Sequence, residues 1–177
     1  YKEAAPYFEK YKELNGVLNR AEWYQLGFCY YKSDRYQDAV KCFIQSVDKE
    51  DSITQNACYH LGDCYVRLND KQKANDAFFL AYRSGKDLKI REDALFNHAK
   101  LSFELAYNPF NESIKAFETY ISDYPNSPRR DEAYGYLVNV YYNIKNYEAA
   151  LKSMENIKVL PPAMKSAYQK IAYLRGV

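Results

Sequence analysis

Apolar residues in this chain recur at helical spacing, and the whole pattern then recurs along the sequence. Trp23, Leu26, Gly27 and Tyr30 fall at i, i+3, i+4 and i+7, one face of a 3.6-residue helix. After the polar turn "KSDR", Tyr36, Ala39, Val40 and Phe43 repeat that spacing. Thirty-five residues further on the pattern returns: Leu61-Gly62 follows Leu26-Gly27, Tyr65 follows Tyr30, Ala74 follows Ala39, and Phe78 follows Phe43. The turn between is now "LNDK". Each unit therefore predicts two helices joined by a short polar turn.

The frame runs on through Ala99 with Phe117 and Val138 with Met154, and reaches Ala172 in a last half-unit. Before the first full unit, Ala4 and Phe8 fit the second half alone. The small-residue positions lie 35, 37, 39 and 34 residues apart. The expected organisation is a half repeat over 1-16, repeats over 17-51, 52-87, 88-125 and 126-160, and a half repeat over 161-177. One helix pair cannot bury its own apolar face, so neighbouring pairs must stack. The expected fold is all-α, an α-α superhelix of about ten helices in a single array. An interior Gly costs a helix about 1 kcal/mol relative to Ala. Close approach of the partner helix, with an aromatic filling the space beside the Gly, would offset that cost at Gly27 and Gly62. From Ala99 to Phe117 is 18 residues, against 16 in the first two units. Two residues are thus inserted at Asn108-Pro109, a turn inside one repeat, since the residue before Pro is pushed out of helical angles.

Composition narrows the function classes. The net charge is +2 and basic residues cluster only in doublets such as Arg129-Arg130, which argues against a nucleic-acid surface. No apolar stretch nears the ~20 residues of a membrane span. Twenty Tyr and nine Phe against six Gly and six Pro suggest long helices joined through rings. Cys29, Cys42, Cys58 and Cys64 form no C-x-x-C, so neither a zinc ribbon nor a redox motif is indicated. His60 and Cys64 share a helix face, but two ligands do not make a structural zinc site. Cys29 and Cys64 read as small buried residues. His98 stands where other units carry Leu26, Leu61 and Leu137, and should face the core.

The segment "WYQLGFCY" (Trp23–Tyr30), with Tyr36, Ala39 and Phe43, resembles the tetratricopeptide repeat family. The template there is W-x2-L-G-x2-Y in the first helix, then Tyr, Ala and Phe in the second, then often Pro. Pro125 and Pro162 stand at the inter-repeat Pro position; Asp51 and Lys86 depart from it, and Val138 replaces the Gly. The phrases "AFETYISDYPNSPRRDEAY" and "FNHAKLSFELAYNPFNESIKAF" are similar to multi-repeat members of the Gram-negative cell envelope. That finer resemblance implies a periplasmic or outer-membrane-associated setting.

The family resemblance implies a protein or peptide partner, no catalysis and no cofactor. It implies that first helices line a concave face. Carried onto this frame, the candidate ligand-binding residues are Tyr24, Phe28, Tyr31, Tyr59, Arg67, Phe96, Lys100, Phe103, Asn139 and Tyr142. Asp63, Asp93, Glu132 and Gly135 occupy further positions of the same face. Aromatic residues there also serve packing between units, and the sequence leaves both roles open. A purely structural spacer is therefore the alternative, and an RNA-reading helical repeat is disfavoured by the near-neutral charge. Tyr24 and Phe28 stand where a chaperone-tail carboxylate clamp needs Lys and Asn, so that clamp is absent. The last half-unit carries Tyr168, Ile171, Ala172 and Leu174 on one face; further repeats or an intermolecular contact would be expected to cover it.

Overall fold

A computed structural model describes residues 4–14, 16–105 and 111–176. Among these residues the regular structure is entirely helical: α1 (Ala5–Glu13), α2 (Arg20–Tyr31), α3 (Tyr36–Ser46), α4 (Ser52–Arg67), α5 (Lys71–Ser84), α6 (Leu88–Leu105), α7 (Asn111–Asp123), α8 (Arg130–Asn143), α9 (Tyr147–Glu155) and α10 (Pro162–Gly176). The chain divides into two compact units, Tyr1–Leu101 and Ser102–Val177, the division falling within α6. The inserted Asn108-Pro109 lies outside the described residues.

Local chemistry starts and stops these helices. Asn19 caps α2 through a full capping box: its side chain accepts from the backbone of Ala21 and Glu22, and Glu22 accepts from the Asn19 N–H. Asp51, Asp70 and Asn146 accept from N3 backbone groups at the starts of α4, α5 and α9. The within-repeat turns share one device. Asp34, Asn69 and Lys145, each seven residues after the small position, take φ of 59°, 60° and 60°. Around each, the next N–H reaches five residues back (Arg35 to Tyr30, Asp70 to Tyr65, Asn146 to Tyr141), which closes a Schellman motif. No glycine serves these left-handed positions; Asp and Asn tolerate them better than Lys does.

The expected pairing of small and aromatic residues is present in the first unit. A Cβ built on Gly27 would lie 2.8 Å from the Phe43 ring, and one on Gly62 would lie 2.7 Å from the Phe78 ring. Phe43 is fully buried and Phe78 nearly so. The core of the first unit joins Leu26, Cys29 and Tyr30 of α2 to Ala39, Cys42 and Phe43 of α3 and Leu61 of α4. A second cluster joins Cys58, Ala74, Phe78 and Ala94. In the second unit Val138, Leu151, Met154 and Ile171 form the core. The α10 face is thus covered in part, because Ile171 is buried against α8 and α9 with Tyr168 and Ala172 beside it. Tyr173 remains 72% exposed.

A polar residue seven places before the small position ties three of the repeats to the connection that follows. Arg20 donates to the Ser46 carbonyl and to both carboxylate oxygens of Asp51, at 2.8 and 3.1 Å. Gln55, fully buried, donates to the Asp87 carbonyl and accepts from the Asp87 N–H, both at 3.1 Å. Asp131 accepts from the N–H groups of Lys158 and Val159. Gly85 completes the second joint, since a Cβ there would run into the Gln55 side chain.

Candidate interaction surface

In the first unit, α2 and α4 bring four of the predicted rings together around a histidine. His60 has ring neighbours Tyr24, Phe28, Tyr31, Phe43 and Tyr59, with centroids at 6.1, 5.2, 5.0, 5.6 and 5.8 Å. Helix spacing explains the convergence: Tyr24, Phe28 and Tyr31 are i, i+4 and i+7 on α2, one stripe facing α4. Burial among these rings disfavours the imidazolium and lowers the His60 pKa to about 4. Its Nδ1 is buried without a hydrogen-bond partner among the described residues. The rings of Tyr24, Phe28, Tyr31 and Tyr59 are each half-buried.

Carboxylates on the first helix of the next repeat hold two of these tyrosines. Tyr31 donates to Asp63 at 2.6 Å, and Tyr59 donates to Asp93. Burial, and then these hydrogen bonds to anions, push both phenols well above their ordinary pKa. Cations rim the patch. Lys32 Nζ sits 5.1 Å from the Phe28 centroid and 5.4 Å from that of Tyr31, within cation–π range. Arg67 is exposed, with its Nε 3.9 Å from Asp63. Lys100 is half-buried, while Phe96 is only 4% exposed and belongs to the interior.

In the second unit Phe103 meets Tyr136 edge to face at 5.3 Å, and Tyr136 stacks on Phe117 at 4.9 Å. Tyr142 is half-buried against the core of this unit, with the Lys170 ammonium 5.9 Å from its centroid. Asn139 is exposed and lines a cleft of about 300 Å³. The walls are Tyr136, Ile157, Val159, Pro161 and Met164; Gly135 forms the floor, and Asp131 and Glu132 stand at one end. A Cβ built on Gly135 meets one atom within 4 Å, the Met164 terminal methyl at 3.2 Å.

Sequence reasoning did not find the centre of the aromatic cluster. It met His60 as half of a metal pair with Cys64. Cys64 is completely buried and carries a free thiol, as are the other three cysteines. Burial pushes the Cys58 and Cys64 thiols up to about 12. Among the described residues no group of three or more His, Cys, Asp or Glu side chains is placed to hold a metal. His98 lies half-buried against the Phe79 ring at 4.8 Å. The joint residues Arg20, Gln55 and Asp131 also went unread. Their signal was available: one repeat position, seven before the small residue, is polar in four successive units, Glu92 included.

The tetratricopeptide repeat family matches residues 21–51 and 93–127. Among solved structures, a crystal structure of MamA is similar over 87% of this chain and 84% of that one, with 21% identity and a TM-score of 0.64. A second, titled as the MamA protein, is similar over 77% of this chain and 74% of that one, with 23% identity and a TM-score of 0.54. At such identities the likeness shows the fold, a helical-repeat superhelix. A search of curated proteins returns no significant match. Among the described residues no helix is long and apolar enough to cross a membrane. The two family matches, with the helix pairs and the Gly–Phe contacts, show that the chain carries tetratricopeptide repeats over residues 21–51 and 93–127.

Proposed function

We propose that the chain is a non-catalytic interaction scaffold that captures a peptide segment or partner helix on its first-helix face. The observation that carries this reading is the patch of half-buried rings Tyr24, Phe28, Tyr31 and Tyr59, rimmed by Lys32, Asp63 and Arg67. Aromatic rings give a partner large rigid contact area, and rim charges set its orientation. The repeats bounded above act in this reading as one array, with further repeats or a second copy meeting α10. The envelope resemblance points to assembly work in a Gram-negative envelope. No cofactor or nucleic acid enters the mechanism.

The spacer reading also has an observation in its favour. Tyr24 touches Phe43 at 5.7 Å as well as His60, so part of its surface already serves packing. Substituting Tyr24 or Phe28 by Ala therefore confounds binding with stability. The cleaner test uses the exposed rim. A 12-residue peptide library is selected on the immobilised chain, and the enriched peptides are titrated against wild type and Lys32→Glu/Arg67→Glu. The scaffold reading expects at least about tenfold weaker binding by the variant, or ~1.4 kcal/mol, with an unchanged melting midpoint. A selection that enriches nothing supports the spacer.

A further inference from the structure

We propose that the cleft in the second unit is a pocket for one basic side chain, lysine or arginine, of a bound peptide segment. The inference rests on the scaffold reading above and names the partner chemistry at one place on that face. Three observations converge on it. The first is Gly135. Gly27 and Gly62 are required by aromatic rings that press against them, at 2.8 and 2.7 Å. Gly135 has no such neighbour, only a flexible methionine methyl. An Ala there would favour the helix by up to about 1 kcal/mol, so the glycine is explained by the space it leaves in the cleft floor.

The second observation is the charge of that space. Asp131, Glu132 and Asn139 supply its polar lining, and no lysine or arginine lines it among the described residues. Acidic residues in a first helical turn are common because they suit the helix dipole. That accounts for their presence in α8 but not for the hollow between them. The third observation is the state of Asp131. One carboxylate oxygen accepts the Lys158 and Val159 N–H groups, while Oδ1 is buried with no hydrogen-bond partner among the described residues. A buried anionic oxygen without a donor is costly, and an ammonium or guanidinium entering the cleft would supply one. Val159, Pro161 and Met164 form a wall suited to the aliphatic stem of such a side chain, while Glu132 is exposed at the mouth to meet its charge.

The probes are the blocked pentapeptides Ac-Gly-Gly-Xaa-Gly-Gly-NH2, with Xaa as lysine, arginine, norleucine or N-acetyl-lysine. They are titrated into the ¹⁵N-labelled chain and followed by amide chemical shifts. The expected result is saturable shifts at Glu132, Gly135 and Met164 with lysine and arginine. Binding should be at least about tenfold weaker for norleucine and N-acetyl-lysine. Glu132→Lys, at an exposed position, should abolish the lysine response with the fold intact, and Gly135→Leu should do so by filling the floor. Equal shifts with norleucine, or an unaltered lysine response in Glu132→Lys, overturn the proposal. Shifts confined to the amides of Phe28 and Tyr59 also overturn it, while leaving the scaffold reading standing.

Discussion

His60 in the first unit and Tyr136 in the second occupy the same repeat position, two residues before the small one. Each inserts its ring between two rings of the preceding repeat: Tyr31 and Phe43 for His60, Phe103 and Phe117 for Tyr136. The position is therefore a joint between repeats, filled by a ring in both units. What surrounds the joint differs. Around His60 three more rings close in, and Gly62 beside it is pressed against Phe78. Next to Tyr136, Gly135 borders open space. The same scaffold thus presents a filled aromatic surface in one unit and, in the other, a largely apolar hollow edged by two carboxylates. Neighbouring substitutions, not backbone architecture, make the difference.

The strongest way to break this comparison is to enlarge the two glycines in parallel. Gly62→Leu should cost about 3 kcal/mol or more, because the Phe78 ring cannot yield within a packed core. Gly135→Leu should cost under about 1 kcal/mol, because its side chain enters the cleft. Urea unfolding of both variants measures this, and equal losses would erase the distinction. Next in size is the joint below the rings. Gln55→Leu keeps the volume but removes both hydrogen bonds to the Asp87 backbone, for a loss of about 1–3 kcal/mol. Asp131→Asn, which keeps an acceptor for the Lys158 and Val159 N–H groups, should lose less than about 1 kcal/mol by the same measurement.

The histidine joint adds a pH dependence to the first unit. Its folded pKa of about 4 lies below the ~6.5 of an unfolded histidine, so between those values the unfolded chain binds more protons. Stability should climb as pH rises from about 4 to about 6.5, then level off. The rise should be on the order of 1–3 kcal/mol. His60→Phe should flatten it. A slope that survives in the variant would assign it to another group. Asp51 acts in a lower window. The Arg20 guanidinium holds its carboxyl well below the usual range, so its contribution is complete above about pH 4 and fades as pH falls further. The smallest effect is at the within-repeat turn: Lys145→Gly should relieve the left-handed strain and raise stability by about 0.5–1 kcal/mol. At Asn69 the same change should do little.

The 35-residue recurrence made the helix pairs legible, because Leu-Gly and Ala-x-x-x-Phe spacing already encodes which faces meet. The pressing of Gly27 and Gly62 on Phe43 and Phe78 followed from residue size alone. The turns were legible as turns, but not their left-handed residue, since Asp34 and Lys145 give no glycine signal. The joint residues were hidden because a polar side chain near a helix start looks solvated in sequence. Gln55 shows otherwise, being fully buried and bonded to a backbone 32 residues away. The cleft was illegible for a related reason. Its wall comes from the connection over residues 157–161, which carries no repeat signature.

Amide hydrogen exchange with and without a library-selected peptide tests the central claim, that first helices form the binding face, most directly. The account predicts new protection in α2 and α4 around Phe28 and Tyr59, with α3 and α5 unchanged. Protection confined to α3 and α5, or none at saturating peptide, would contradict it.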